Sequence, residues 1–415
     1  MMKYACLVLA IILLFVFAGN AMAAPQNFLE KLLGQLASII FPATITPQDL
    51  HDRYAANRVR ILLVPGHDNE YSGTEYRSLR EADINLEVAR HLYNTLKKNP
   101  HFIVSSARNL DTGEYSPELA SYFEKEGNSI LEFRDRSKAV MDTLLSLGIA
   151  EDKSTENHGF AIEEVSRRLY GINKWSNENG IDIVLHLHFN DYPRKNMRVP
   201  GKYEGFAIYV PERQYPNAEA SKAFAEPLFS VLKKYLPVSN IAFEKGGVVE
   251  DQELVAIGAN ASREGASVLL EYGYIYETKF ANAKARSVIL PELANLTYRG
   301  IKKYFESDAE RGDPYETSLL PHRWAEPLDE TKKNAEDIFS LQTALLEDAL
   351  YPPPGKDLQE CPISGVFGSC TKRSVALFQE KYRAEILEPS GLNEGTGIVG
   401  AATIRALNRR YGSGL

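Results

Sequence analysis

Hydrophobic and polar positions alternate along this chain in a way that predicts strands and helices in turn. Ile61-Leu62-Leu63-Val64 is a short aliphatic run broken by Pro65-Gly66, the signature of a buried strand. A polar loop from Asp68 to Leu79 follows, then a helix with Glu81 on its first turn and Ile84, Val88 and Leu92 repeating every four residues. Lys97-Lys98-Asn99-Pro100 stops that helix, and Phe102-Ile103-Val104 restarts a strand, so the opening is a βαβ-like unit. Ser116 to Trp175 is helical in pattern, with a polar interruption near Asp152 to His158. Strands are predicted at Ile181–His188, Gly205–Val210 and Ala266–Leu270, and helices at Ala218–Leu236 and Glu292–Phe305. Pro227 predicts a kink or break in the first of those helices. Such alternation points to an α/β domain with helices on both faces of a sheet.

The pattern changes near residue 307. Residues 307–333 are charged, carry Pro314, Pro321 and Pro327, and are expected to be a linker. Residues 334–412 show helical patterns at Ala335–Leu350, Thr371–Tyr382 and Gly400–Tyr411 with Gly-rich turns between them, which predicts a small all-α domain. No internal repeat is evident. At the other end, Lys3 precedes an apolar run from Ala5 to Phe17, followed by Ala21-Met22-Ala23. This is the pattern of a secretory signal over residues 1–23, cleaved after Ala23; an uncleaved anchor is the alternative. Residues 24–57 are expected to be helical, with an amphipathic stripe at Phe28–Ile40 that packs on the domain or touches a surface.

Composition narrows the function. The 415 residues, 44% hydrophobic and 25% charged, suit two or three globular domains. A net charge of -8 argues against a general nucleic-acid binder, and no membrane span is expected after signal cleavage. Cys6 leaves with the signal, and Cys361 and Cys370 remain as an even pair, either a disulfide or two free thiols.

Candidate chemistry gathers at strand and helix ends. His67 stands just past the first strand and Glu81 at the start of the helix, two halves of a metal site. His186 and His188 share one face of a later strand because side chains alternate, and either could complete the set. Glu271 follows the apolar run Ser267–Leu270, where an ionised acid has little structural justification. Each group alone has an ordinary reading: a structural histidine for His67, a helix-start acid for Glu81, a core histidine for His188, and an arginine partner such as Arg263 for Glu271. His51, His91, His101, His158 and His322 are expected to be surface or structural.

Taken together, Val64-Pro65-Gly66-His67, Glu81 with Asn85-Leu86 and Ala89, Asp182 to Asn190, and Leu270-Glu271-Tyr272-Gly273-Tyr274-Ile275 resemble the zinc-dependent N-acetylmuramoyl-L-alanine amidases of the type 3 family, over residues 58–306. The resemblance implies a mixed α/β sheet, one Zn²⁺ held by His67, Glu81 and His188, and Glu271 as the catalytic acid/base. It implies peptidoglycan as substrate, cut at the amide between N-acetylmuramic acid and L-alanine, and an exported enzyme of the periplasm or cell exterior. His186 and Asn190 would then touch substrate or orient a ligand from behind. Asp68-Asn69 stands where the family often has glycines, His186 where serine is common, and residues 113–162 look like a helical insertion that regulates access in several members.

The tail resembles a three-helix peptidoglycan-binding domain. Phe339, Leu341-Gln342 and Leu345 match its first helix, and Ile363-Ser364-Gly365-Val366-Phe367-Gly368 with Thr371 its central turn. Val375, Phe378 and Gln379 follow, and Gly397-Ile398-Val399-Gly400, Thr403 and Leu407 match the last helix. Ser364 replaces the usual aspartate. Two rival functions stand beside the amidase: a zinc peptidase acting on stem peptides, and a non-catalytic wall-binding protein.

Overall fold

The computed structural model describes residues 45–153, 161–194, 196–258, 263–306, 312 and 314–412. The expected signal and the Phe28–Ile40 helix lie outside the described residues.

A six-stranded sheet in the order β4-β1-β5-β8-β6-β7 forms the centre. Its strands are β1 (Val59–Pro65), β4 (Phe102–Ser106), β5 (Ile183–Asn190), β6 (Ala207–Pro211), β7 (Val248–Asp251) and β8 (Ala266–Tyr274). β6 runs antiparallel to β8 and every other pairing is parallel, so the sheet is mixed. A small hairpin, β2 (Glu75–Tyr76) and β3 (Leu79–Arg80), stands apart. β1 and β5 are central and covered on both faces, which is why they are nearly continuous aliphatic runs.

The helices are α1 (Pro47–Ala55), α2 (Glu81–Leu96), α3 (Pro117–Lys125), α4 (Gly127–Ser146), α5 (Glu163–Glu178), α6 (Ala218–Tyr235), α7 (Ala283–Phe305), α8 (Ala335–Glu347), α9 (Ser369–Lys381) and α10 (Ala401–Tyr411). On one face Ile61, Leu63, Leu185 and Val268 pack with α2, α6 and α7. On the other, Leu62, Val64 and Val184 pack with Leu119 and Phe123 of α3, Ile130 of α4, and Tyr170 and Ile172 of α5. Leu119, Phe123 and Ile130, from the stretch 113–162, are therefore part of the second layer of the core.

Four sequence expectations change. α6 runs unbroken through Pro227, and α7 starts nine residues before Glu292 and passes through Pro291. In both, a proline costs one hydrogen bond while the apolar face stays packed, and packing prevails. β8 continues past Leu270 to Tyr274, which puts Glu271 inside the strand rather than at its end. β7 is too short and too mixed in composition to announce itself.

The fourth change concerns the expected linker. Residues 314–333 carry little regular structure, yet Leu320, Trp324 and Leu328 are buried in the core shared by both parts of the chain. The Trp324 backbone N–H donates to Asn408 Oδ1 at 2.9 Å and its indole N–H to the Asp337 carbonyl at 3.0 Å. Thr317 Oγ1 and the Ser318 N–H donate to buried Glu292 of α7 at 2.7 and 3.0 Å. This segment is a packed strap. Proline and charge mark irregular backbone, but irregular does not mean loose.

Beyond the strap, one device occurs twice. Gln342 of α8 accepts from the Ser364 and Gly365 N–H groups, both at 3.0 Å, and donates to Thr371 Oγ1 at 2.9 Å and the Val366 carbonyl at 3.1 Å. Gln379 of α9 accepts from the Gly397 N–H at 3.0 Å and the Thr396 hydroxyl at 3.3 Å, and donates to Thr403 Oγ1 at 3.0 Å and the Ile398 carbonyl at 2.7 Å. Each glutamine thus staples a Ser/Thr-Gly turn and the threonine of the next helix. The repeat escaped sequence inspection because the turn follows its glutamine by 22 residues in the first copy and 17 in the second. Cys361 and Cys370 are disulfide-bonded beside the first turn.

Candidate metal centre

β1 ends in Pro65-Gly66, and His67 adopts φ +61°, a left-handed conformation uncommon outside glycine. That turn sends its ring back toward α2 instead of outward. Gly66 is anchored to the neighbouring strand through Leu187, at 2.9 Å, and by the Asn85 side chain at 3.0 Å. A Cβ at Gly66 would lie 2.2 Å from the His188 ring, and one at Gly73 would lie 2.4 Å from the His67 ring and 2.5 Å from Glu81 Oε2. The chain passes this close to the three side chains only without side chains of its own.

Glu81, the first residue of α2, is 4% exposed and has one oxygen on each ring. His67 Nε2 is 3.1 Å from Oε2, and His188 Nδ1 is 2.9 Å from Oε1. The Thr74 N–H also donates to Oε2 at 3.0 Å. One donor atom from each of His67, Glu81 and His188 lies within 4.8 Å of the others, the only such cluster among the described residues. Two imidazoles and a carboxylate, converging from a strand end, a helix start and a second strand, fit a zinc ion with its fourth position open. Burial would raise the Glu81 pKa, but the two rings hold it well below the usual carboxylate range. For His67, burial opposes the charged ring, yet Glu81 carries its pKa above the ordinary value. Burial prevails at His188 and lowers it.

Glu271 pairs directly with His188 across β5 and β8. Its Oε2 is buried without a hydrogen-bond partner among the described residues. Burial first, then the nearby charges of Glu81 and Glu244, push its pKa well above the ordinary 4.5. Arg263 is not its partner: that guanidinium donates to Asn177 Oδ1 at 2.7 Å and the Ile181 carbonyl at 3.2 Å. Asn190 donates to Glu244 Oε1 at 2.9 Å, and Tyr209 donates to the same oxygen at 2.6 Å. Sequence reasoning missed Glu244, a residue in an irregular loop that folding buries to 1% exposure.

His67, His188, Glu271, Asn190 and Tyr209 line one cavity of about 270 Å³ on the second face of the sheet. His67, His188, Glu271, His186 and Asn190 form its strand-borne side, and Val165, Arg168, Leu169 and Ile172 of α5 the opposite side. Of the described residues between 113 and 162, Tyr115 and Ala161 alone reach it. Asp68, beside His67, is buried and accepts from the Glu70 and Tyr71 N–H groups, from the Tyr115 hydroxyl at 3.0 Å and from Arg168 Nη1 at 2.6 Å. Asp68 therefore fastens the metal-site loop to α5, a job that glycine could not do. His186 is 1% exposed, and burial, with His188 and Arg263 nearby, pushes its pKa down to about 3.

The other described histidines stay outside the cavity. His101 bonds the Tyr54 carbonyl at 2.8 Å, His322 bonds Asp337 at 2.8 Å, and His51 rests on Tyr304 at 4.7 Å between ring centroids. His91 is half-buried on α2, and His158 lies outside the described residues. Among the described residues, no helix is long and apolar enough to cross a membrane.

Residues 61–303 match the family model described as N-acetylmuramoyl-L-alanine amidase. Among solved structures, the chain is similar to an N-acetylmuramoyl-L-alanine amidase from Clostridium difficile 630, at 19% identity and a TM-score of 0.38 over 61% of this chain and 99% of that one. It is also similar to the CwlD amidase from Clostridioides difficile, solved in complex with the GerS lipoprotein (17% identity, TM-score 0.39, 60% and 98% covered). A third is the amidase AmiC2 of Nostoc punctiforme (15% identity, TM-score 0.35, 60% and 98% covered). No curated protein matches the chain.

Proposed function

From the premise that this chain belongs to the N-acetylmuramoyl-L-alanine amidase family, we propose that it cuts the muramoyl–alanine amide of peptidoglycan with a zinc ion held by His67, Glu81 and His188. One observation carries the reading: three donor atoms converge at a cavity that His67 and His188 share with an orphaned carboxyl, Glu271, on the adjoining strand. When bound, zinc lowers the pKa of water toward about 7 and polarises a carbonyl oxygen.

The chain's own groups do the rest. Glu271 is the catalytic residue: Oε2 takes a proton from the attacking water and returns it to the departing alanine nitrogen. A carboxyl with a raised pKa suits that exchange, because it holds a proton more readily near neutrality. Glu81 stays ionised between the two rings and keeps their nitrogens aimed inward. Glu244 fixes Asn190 and Tyr209 against the cavity wall. Asp68 and Arg168 hold the His67 loop against α5.

Residues 334–412 are assigned to wall binding, on the strength of their match to the three-helix pattern, with residues 1–23 as an export signal. The Cys361–Cys370 bond supports export, since disulfides persist in oxidising compartments. The decisive experiment digests purified sacculi with metal-analysed protein and identifies the released ends. Free alanine amino groups, lost on chelation and restored by Zn²⁺, support the amidase. New ends within the stem peptide indicate a peptidase instead, and no release indicates a binder.

A further inference from the structure

β5 and β8 fall out of step just beyond the metal-site residues. His188 pairs with Glu271 and Asn190 with Tyr274, so β8 advances three residues while β5 advances two. Such a bulge re-aims the side chains beside it. Here Asn190 and Tyr274 both reach one acid, Glu244, as does Tyr209 of β6. Glu244 Oε1 accepts from Asn190 Nδ2 at 2.9 Å and from the Tyr209 hydroxyl at 2.6 Å, and Oε2 accepts from the Tyr274 hydroxyl at 3.3 Å. These three neutral donors are the side-chain partners of Glu244 among the described residues. Burying a carboxyl group on neutral donors alone is costly, and an aliphatic side chain would fill the place without that cost.

The cluster fixes which way round the Asn190 amide lies. Its nitrogen is spent on a carboxyl oxygen that also takes the Tyr209 hydroxyl. Its own oxygen is on the opposite side of the amide, and Oδ1 accepts from no donor among the described residues. Side chains alternate along β5, so Asn190 projects to the same side as His188. Partly exposed, it lines the cavity together with His188 and Glu271. Gln342 and Gln379, by contrast, use both ends of the amide inside the fold. What a carbonyl oxygen beside the reacting groups can take is an N–H, and the amide to be cut carries one. For Glu271 to hand a proton to the alanine nitrogen, the nitrogen lone pair has to face Glu271 and the N–H has to point elsewhere. As the C–N bond breaks, the electron pair stays on nitrogen, takes that proton and departs as a primary amine.

We propose that Asn190 Oδ1 accepts the N–H of the scissile amide, and that Glu244 is the positioning residue that keeps the Asn190 carbonyl turned toward it. The inference rests on the amidase reading. Contact with a reacting atom makes Asn190 a second catalytic residue beside Glu271, while Glu244 acts only through Asn190. Tyr209 and Tyr274 steady Glu244 in turn, from β6 and β8.

The test uses a soluble muramoyl peptide and its ester analogue, in which oxygen replaces the scissile N–H. The zinc-loaded parent, Asn190→Leu and Glu244→Leu are assayed on both. Asn190→Leu should lower kcat/KM for the amide about tenfold more than for the ester, the size expected when one N–H is left unpaired. The amide-to-ester ratio is internal to each variant, so a general loss of activity cancels. Glu244→Leu should change the ratio in the same direction by a smaller factor, because the freed amide can turn over. Glu244→Gln keeps an acceptor at Oε1 and should return to the parent ratio. Equal losses on amide and ester would mark a merely structural role and overturn the proposal, as would a Glu244→Gln variant that behaves like Glu244→Leu. Binding gives a second readout that needs no turnover. In the zinc-loaded Glu271→Gln protein, the preference for amide over ester should fall about tenfold when Asn190→Leu is added. An unchanged preference refutes the contact. If the parent releases no free alanine amino groups and yet this preference does fall, the amidase reading alone is lost.

Discussion

Two glutamines of the C-terminal helices and two groups of the cavity bury polar atoms in opposite ways. Gln342 makes five internal hydrogen bonds and Gln379 four, and neither leaves anything over. In the cavity, Glu271 Oε2 and His186 Nε2 have no partner, and His67 sits in a left-handed backbone conformation. A saturated buried group specifies a fold, whereas an unsaturated one is retained at a cost that something outside the folded chain must offset. Burial alone does not separate structure from function.

That contrast can be broken at four points. The largest effect is expected from Glu271→Gln, which should lower kcat about 10²- to 10⁴-fold while zinc content and unfolding midpoint hold or rise. A variant that keeps its zinc and hydrolyses at the parent rate removes Glu271 from the reaction. The mirror experiment is Gln342→Ala. Losing its four shortest bonds at about 1 kcal/mol each should cost about 4 kcal/mol in urea unfolding, with turnover of soluble muramoyl peptide unchanged at low temperature.

Glu292 tests the seam between the two regions. It is 2% exposed, and burial pushes its pKa to about 7, against the pull of Ser318 and Thr317. Because the folded value lies above the ordinary 4.5, its contribution is complete below about pH 4.5 and is lost as pH rises to about 7. Stability should therefore decline by about 3 kcal/mol across that window, and Glu292→Gln should flatten the decline in pH-dependent unfolding. The smallest effect is expected from Glu244→Gln. Removing one of the charges that raise the Glu271 pKa should shift the acid limb of kcat/KM to lower pH by less than about one unit. A shift to higher pH would contradict the electrostatic account of the cavity.

The four central groups were legible because each is a rare residue in its place. A histidine after a broken strand, an acid opening a helix, a histidine on an alternating strand and an acid after an aliphatic run have few structural uses in combination. The sheet was legible for a similar reason, since two-sided burial leaves aliphatic runs. What stayed hidden depends on separation. Asp68 and Arg168 meet across 100 residues, and Asn190 and Glu244 across 54, so no local pattern announces either pair. The strap was misjudged because prolines describe backbone shape and say nothing of what packs around it. Pro227 was misjudged because the neighbours on α6 outweigh one missing bond.

The strap has a consequence for how the molecule would work on a polymer. Trp324 ties it to α8 and α10, Thr317 and Ser318 tie it to α7, and Glu347 of α8 meets Tyr235 at the end of α6 at 2.8 Å. If the helical end binds the wall, as proposed, the wall is held at a set reach from the metal centre, like a hand fixed to the end of a ruler. Cleavage would fall at a constant interval from each anchor, and the spacing of the cuts would record the dimensions of the protein.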